Sequence, residues 1–158
     1  MSDQHNARNP SQVKAASSGE AVPIKPGLFT MPSSSGELPH LIGTRCKSCG
    51  EVYFPPRRET SCPKCYELDM EDIPLSRMGR VLSYTIVHQA PREWQGPVPY
   101  GMALIELPEK AVFYSSLTEC DLERIETGMQ VELVLEAVRS DETGNKVIGY
   151  KFRPVQRG

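Results

Sequence analysis

The chain has 158 residues, 39% of them hydrophobic and 24% charged, with 18 Lys and Arg against 20 Asp and Glu for a formal net charge of −2. That length holds one ordinary domain plus a small module, and the acidic balance weighs against a partner that is mainly phosphate backbone, which requires a strongly basic face. No apolar run approaches the roughly 20 residues of a membrane helix, no basic-then-apolar leader opens the chain, and an odd count of five cysteines does not suit a secreted disulfide scaffold, so a reducing cytoplasm is the expected setting.

Residues 1–40 are rich in Pro, Ser and Gly, as in Ser33-Ser34-Ser35-Gly36, and their apolar residues follow neither helical nor strand period. Such a segment buries too little surface to offset its ordering entropy, so a flexible arm is expected. Its later part, Ile24 to Leu41, carries Leu28, Phe29, Met31 and Leu38. Two outcomes are open there: an extended arm docked on the body or on a partner, or a solvated tail.

Residues 41–78 read as a metal ribbon and a linker. Leu41 to Arg45 is a short strand entering Cys46-Lys47-Ser48-Cys49, Glu51 to Phe54 returns from it, and Pro55-Pro56 stops the strand. Beyond Cys49, after twelve intervening residues, comes Cys62-Pro63-Lys64-Cys65. Two Cys-x-x-Cys knuckles at that separation deliver four thiolates to one tetrahedral ion, and a closed, soft sulfur set suits structural zinc. Disulfides, two separate redox pairs, or iron in the same cage are the alternatives. A core this small depends on its metal, which contributes on the order of 10–16 kcal/mol in such modules. Arg45, Lys47, Arg57, Arg58 and Lys64 balance the charge of a four-thiolate zinc centre locally.

Residues 79–158 are expected to form a five-stranded barrel. Val81 to His88, Tyr100 to Leu107, Ala111 to Leu117, Val131 to Ala137 and Val147 to Phe152 are strand-like, rich in β-branched residues and separated by turn residues. Between the third and fourth, Thr118-Glu119-Cys120-Asp121 resembles a capping box, Leu122, Ile125 and Met129 sit at helical spacing, and Gly128 is placed to end a short helix. Five strands with one helix between the third and fourth is the order of an OB-fold. The fold class is therefore mainly β: a rubredoxin-like zinc ribbon followed by an OB barrel with one short helix. A five-stranded sandwich fragment is the other arrangement this order allows.

Little in the barrel points to chemistry. Cys120 lies among Glu119, Asp121 and Glu123, whose charges oppose a thiolate. His88 ends the first barrel strand, and either caps a backbone carbonyl there or meets a ligand or partner. The loop that follows, with Arg92, Trp94 and two prolines before Tyr100, is the favoured contact surface, since OB-folds bind through loops and one sheet face. Trp94 either anchors a partner or plugs the barrel mouth, and Arg92 has the chemistry to meet a phosphate group. A single-stranded nucleic-acid module, the other role for a ribbon and an OB-fold, is disfavoured by nine Lys and Arg against eleven Asp and Glu from Gly79 onward.

The ordered set of Cys62-Pro63-Lys64-Cys65, Gly79-Arg80-Val81-Leu82-Ser83-Tyr84-Thr85, Val87-His88, Pro99-Tyr100, Ile105-Glu106-Leu107, Gly128-Met129-Gln130-Val131 and Phe152-Arg153-Pro154 resembles the acyl-CoA-associated family known as domain of unknown function 35. The resemblance covers about Leu41 to Pro154. It implies a non-catalytic small subunit of a hetero-oligomer, whose partner is a thiolase-superfamily large subunit and whose complex takes a coenzyme A ester. Within the family the pattern is similar to small subunits of the benzoylsuccinyl-CoA thiolase type of anaerobic toluene degradation. Accessory subunits of hydratases or aldolases acting on CoA esters are the neighbouring possibility. Many members begin with amphipathic helices, and the Pro- and Ser-rich start of this chain departs from that pattern.

Overall fold

The computed structural model describes residues 19–156, so the expectation for the first eighteen residues lies outside them. The arm enters as β1 (Ala21–Pro23), which adds in parallel to the last strand of the barrel. Leu28 and Phe29 follow and are buried, and Phe29 bridges to Leu41. Of the two outcomes open for Ile24 to Leu41, this stretch docks on the body. Its apolar residues find partners that lie far away in sequence: the ring of Phe29 meets that of Tyr150 edge-on at 6.5 Å.

The ribbon is a three-stranded sheet. β2 (Ile42–Cys46) runs between β3 (Val52–Tyr53) and β4 (Met70–Pro74), antiparallel to both. The third strand is absent from the sequence reading, because Met70-Glu71-Asp72-Ile73-Pro74 has neither β-branched enrichment nor a clean alternation. It forms because β2 offers it five paired positions, from Ile42↔Pro74 to Cys46↔Met70. The basic residues of the ribbon find acidic partners on these strands and loops, Arg45 with Glu71, Arg58 with Asp72 and Lys64 with Glu51.

The barrel strands are β5 (Met78–Val87), β6 (Tyr100–Glu106), β7 (Val112–Ser116), β8 (Gln130–Ser140) and β9 (Lys146–Pro154). Together with β1 they form one sheet in the order β1-β9-β8-β5-β6-β7. A parallel bridge between Leu117 and Phe152 brings the end of β7 back to β9 and closes the barrel. Val81, Ala103, Ile105, Phe113, Leu133 and Phe152 fill its interior. The expected helix between β7 and β8 is reduced to one 3-10 turn, Leu122–Arg124, capped by the Asp121 carboxylate on the Glu123 N–H. Ile125 is already extended, and Gly128 donates its N–H to the Val81 carbonyl at 2.7 Å. Pairing with β5 thus claims the backbone that a longer helix would need, while Ile125 packs on Gly101.

Ribbon and barrel share one core. Phe54, just beyond β3, meets Phe113 at 4.8 Å and Tyr150 at 5.3 Å between ring centroids. The connection is held at several points. Leu75 N–H donates to Leu41 O, Arg77 donates to Pro39 O and Leu133 O, and Ser76 donates twice to Glu109 Oε1.

Candidate metal centre and barrel cleft

The sulfurs of Cys46, Cys49, Cys62 and Cys65 lie within 4.8 Å of one another. Cys46 and Cys62 are fully buried, and the pairs Cys46–Cys65 and Cys49–Cys62 stand 3.5 and 3.6 Å apart. A zinc ion at about 2.3 Å from each sulfur spaces them by about 3.8 Å, so the four are positioned for a tetrahedral ion.

The backbone explains why. The two knuckles are copies of one turn: Gly50 N–H donates to Cys46 O and Tyr66 N–H to Cys62 O, both at 2.8 Å, while Cys46 and Cys62 donate to Glu51 O and Glu67 O. Each turn ends on a left-handed residue, Gly50 at φ 79° and Tyr66 at φ 65°. Glycine is at ease there, whereas tyrosine is strained. Tyr66→Gly is therefore expected to stabilise the ribbon by about 0.5 kcal/mol, since the exposed ring contributes little packing. A higher denaturant midpoint for the metal-loaded variant checks this.

The donor chemistry fits a cation. For Cys62 burial opposes ionisation, but the Tyr53 hydroxyl and the N–H groups of Cys65 and Lys64 outweigh it and bring the thiol down to about 6. For Cys65 the Glu67 N–H favours the thiolate, yet burial and the three neighbouring sulfurs push the thiol up to about 12. Four thiols this close do not all ionise without a positive centre among them. The Tyr53 hydroxyl sits 3.3 Å from Cys62 Sγ, and the hydrogen bond to that sulfur, with burial, pushes the phenol itself up to about 12.

On the barrel, Trp94 and Tyr100 come together. Their rings stack at 4.0 Å with 16° between planes, and the indole N–H donates to Pro97 O. Trp94 therefore folds back on its own loop. His88 and Arg92 are exposed. Cys120 is half-buried, and burial together with Asp121 pushes its thiol up.

Sequence reading missed a cleft of about 510 Å3 beside Trp94, lined also by Met102, Tyr114, Val138, Tyr150 and Lys151. Lys151 is 7% exposed; its Nζ contacts Glu136 Oε1 at 2.6 Å and stands 5.4 Å from the Trp94 ring. Glu136 Oε2 accepts from Thr118 Oγ1. The available signal was a lysine inside the apolar run Val147 to Phe152. Glu136→Ala strands that ammonium, and a loss of about 2–3 kcal/mol is expected from denaturant unfolding, less than for a fully buried pair because Glu136 is partly solvated. A Glu136→Ala/Lys151→Met double variant should recover most of it.

Comparison with known proteins places these features. Residues 34–71 match the family model described as ChsH2, rubredoxin-like zinc ribbon domain, and residues 72–136 match ChsH2, C-terminal OB-fold domain. A DUF35 domain-containing scaffold protein of Methanocaldococcus jannaschii is 43% identical over 118 residues, covering 73% of this chain and 82% of that protein. The benzoylsuccinyl-CoA thiolase subunit BbsA of Thauera aromatica is 34% identical over 138 residues, covering 82% and 86%. Among solved structures, the Ltp2-ChsH2(DUF35) aldolase matches with a TM-score of 0.59 at 30% identity, over 73% of this chain and 84% of that one. Among the described residues no helix is long and apolar enough to cross a membrane.

Proposed function

The chain belongs to the DUF35 family of paired zinc-ribbon and OB-fold proteins, and from that premise we propose that it is the non-catalytic small subunit of a thiolase-type complex acting on a β-ketoacyl-CoA. A thiolase-superfamily large subunit supplies the nucleophilic cysteine and its base. This chain supplies a rigid brace and part of the surface that meets the coenzyme A ester. The observation that carries the reading is the pairing of a four-cysteine ribbon with an OB barrel in one shared core, the arrangement under which a BbsA thiolase subunit is similar over most of both chains. Cys120 supports it from the other side, because a thiol made less acidic by burial and by Asp121 is a poor nucleophile.

Zinc held by Cys46, Cys49, Cys62 and Cys65 is structural in this reading: it holds the knuckles in place. Trp94 and Tyr100 shape the contact surface, with His88 and Arg92 on its exposed margin. The similarity to the Ltp2-ChsH2(DUF35) aldolase favours a second reading, in which the partner is an aldolase and the role of this chain is unchanged. Purification of the tagged chain from its source, with identification of what co-elutes, tests both. A stoichiometric thiolase-superfamily protein is the expected companion. A chain that elutes alone, or with proteins of neither class, contradicts the proposal.

A further inference from the structure

The cleft beside Trp94 has a definite cause in the topology. Among the described residues the only backbone bridge from the end of β7 to β9 is Leu117–Phe152, and β1 takes the edge of β9 at Lys146–Ile148. Between those two contacts the strands part. The space of about 510 Å3 is walled by Ile24 of the arm, Met102 and Tyr114 on one side and Val138 and Tyr150 on the other, with Trp94 beside them. Its size lies within the range of small-molecule sites and its walls are largely apolar.

Of the three charged residues in its lining, Lys151 is committed to an ion pair, and Arg139 and Glu93 are of opposite sign. Lys151 is matched by Glu136 at 2.6 Å. Arg139 is the other cation of the lining, and Glu93 lies on the same lining. The nucleotide end of coenzyme A carries three phosphate groups and needs several free cations or N–H donors. The acyl end needs apolar walls and few partners. We infer that this cleft takes the acyl and thioester end of a coenzyme A ester and excludes its nucleotide. The inference rests on the CoA-ester reading above and names the part of the ligand this chain holds.

Trp94 is the single tryptophan, so its emission reports this cleft alone. The zinc-loaded full chain is titrated with acetyl, butanoyl and hexanoyl thioesters of N-acetylcysteamine, which carry no phosphate, and with adenosine 3′,5′-bisphosphate. The thioesters are expected to give a saturable change in emission, tightening about two- to fourfold per added methylene. Met102→Glu should weaken the hexanoyl thioester at least tenfold. Tyr114→Ala, at a ring too exposed for the fold to depend on it, should weaken it severalfold with unchanged circular dichroism. Saturable binding of the bisphosphate that is lost in Arg139→Ala overturns the inference, as does the absence of any thioester response up to the solubility limit. Either result leaves the co-purification outcome untouched, so failure here is distinguishable from failure of the subunit reading.

Discussion

Cys62→Ser is expected to strip the chain of its metal and unfold the ribbon. Cys62 is one of four sulfurs in the cluster and is completely buried. The ribbon sheet has strands of two and five residues, and little apolar surface supports it beyond Leu41, Phe54 and Leu75. The contribution of a structural zinc, on the order of 10–16 kcal/mol, matches or exceeds the whole stability of a typical domain. Hydrogen exchange locates the effect. The amides of Cys46, Gly50, Cys62 and Tyr66, which close the knuckle turns, should lose protection completely, while the barrel amides of Val81 and Leu133 keep most of theirs. Acid acts in the same direction. In the metal-free ribbon the Cys62 thiol lies at about 6, below its ordinary value of 9.0, so its folded thiolate contributes fully above the ordinary thiol range and is lost as pH falls through about 6, and a bound cation moves that loss to lower pH. A Cys62→Ser protein that retains one zinc per chain and protected knuckle amides contradicts this account of the ribbon.

Phe54→Ala is expected to cost about 3–5 kcal/mol and to uncouple the two modules. Phe54 is 6% exposed and sits edge-on to both Phe113 and Tyr150. It is a residue of the ribbon lying inside the core of the barrel. Removing the ring opens a cavity at the junction and deletes aromatic contacts that add to the burial. Wild-type protein should unfold in one denaturant transition, and the variant in two, with the ribbon's transition still sensitive to chelator. A single transition shifted by less than about 1 kcal/mol means that Arg77, Ser76 and Glu109 hold the junction without the shared core.

What the sequence disclosed was local. Cys46, Cys49, Cys62 and Cys65 announce themselves because knuckle geometry is written into Cys-x-x-Cys spacing. All five barrel strands were legible from β-branched content and the turn residues between them. What it hid was set by distant partners. Phe29 looks like a tail residue until Leu41 and Tyr150 are beside it. β4 looks like a linker until β2 offers it an edge. Leu122, Ile125 and Met129 share helical spacing, yet the bond from Gly128 to Val81 decides their conformation. Lys151 acquires meaning only through Glu136 on the neighbouring strand. In each case the deciding contact spans many residues, and no window of sequence contains both halves.

The most direct test of a supporting, non-catalytic role is reconstitution of thiolysis from purified components. A β-ketoacyl-CoA and free coenzyme A are supplied to the zinc-loaded chain alone, to its co-purified large subunit alone, and to mixtures at increasing ratio. The account predicts no turnover by this chain alone and activity that rises to saturation at a fixed stoichiometry with the large subunit. Robust thiolysis by the isolated chain, abolished in Cys120→Ser, would contradict it.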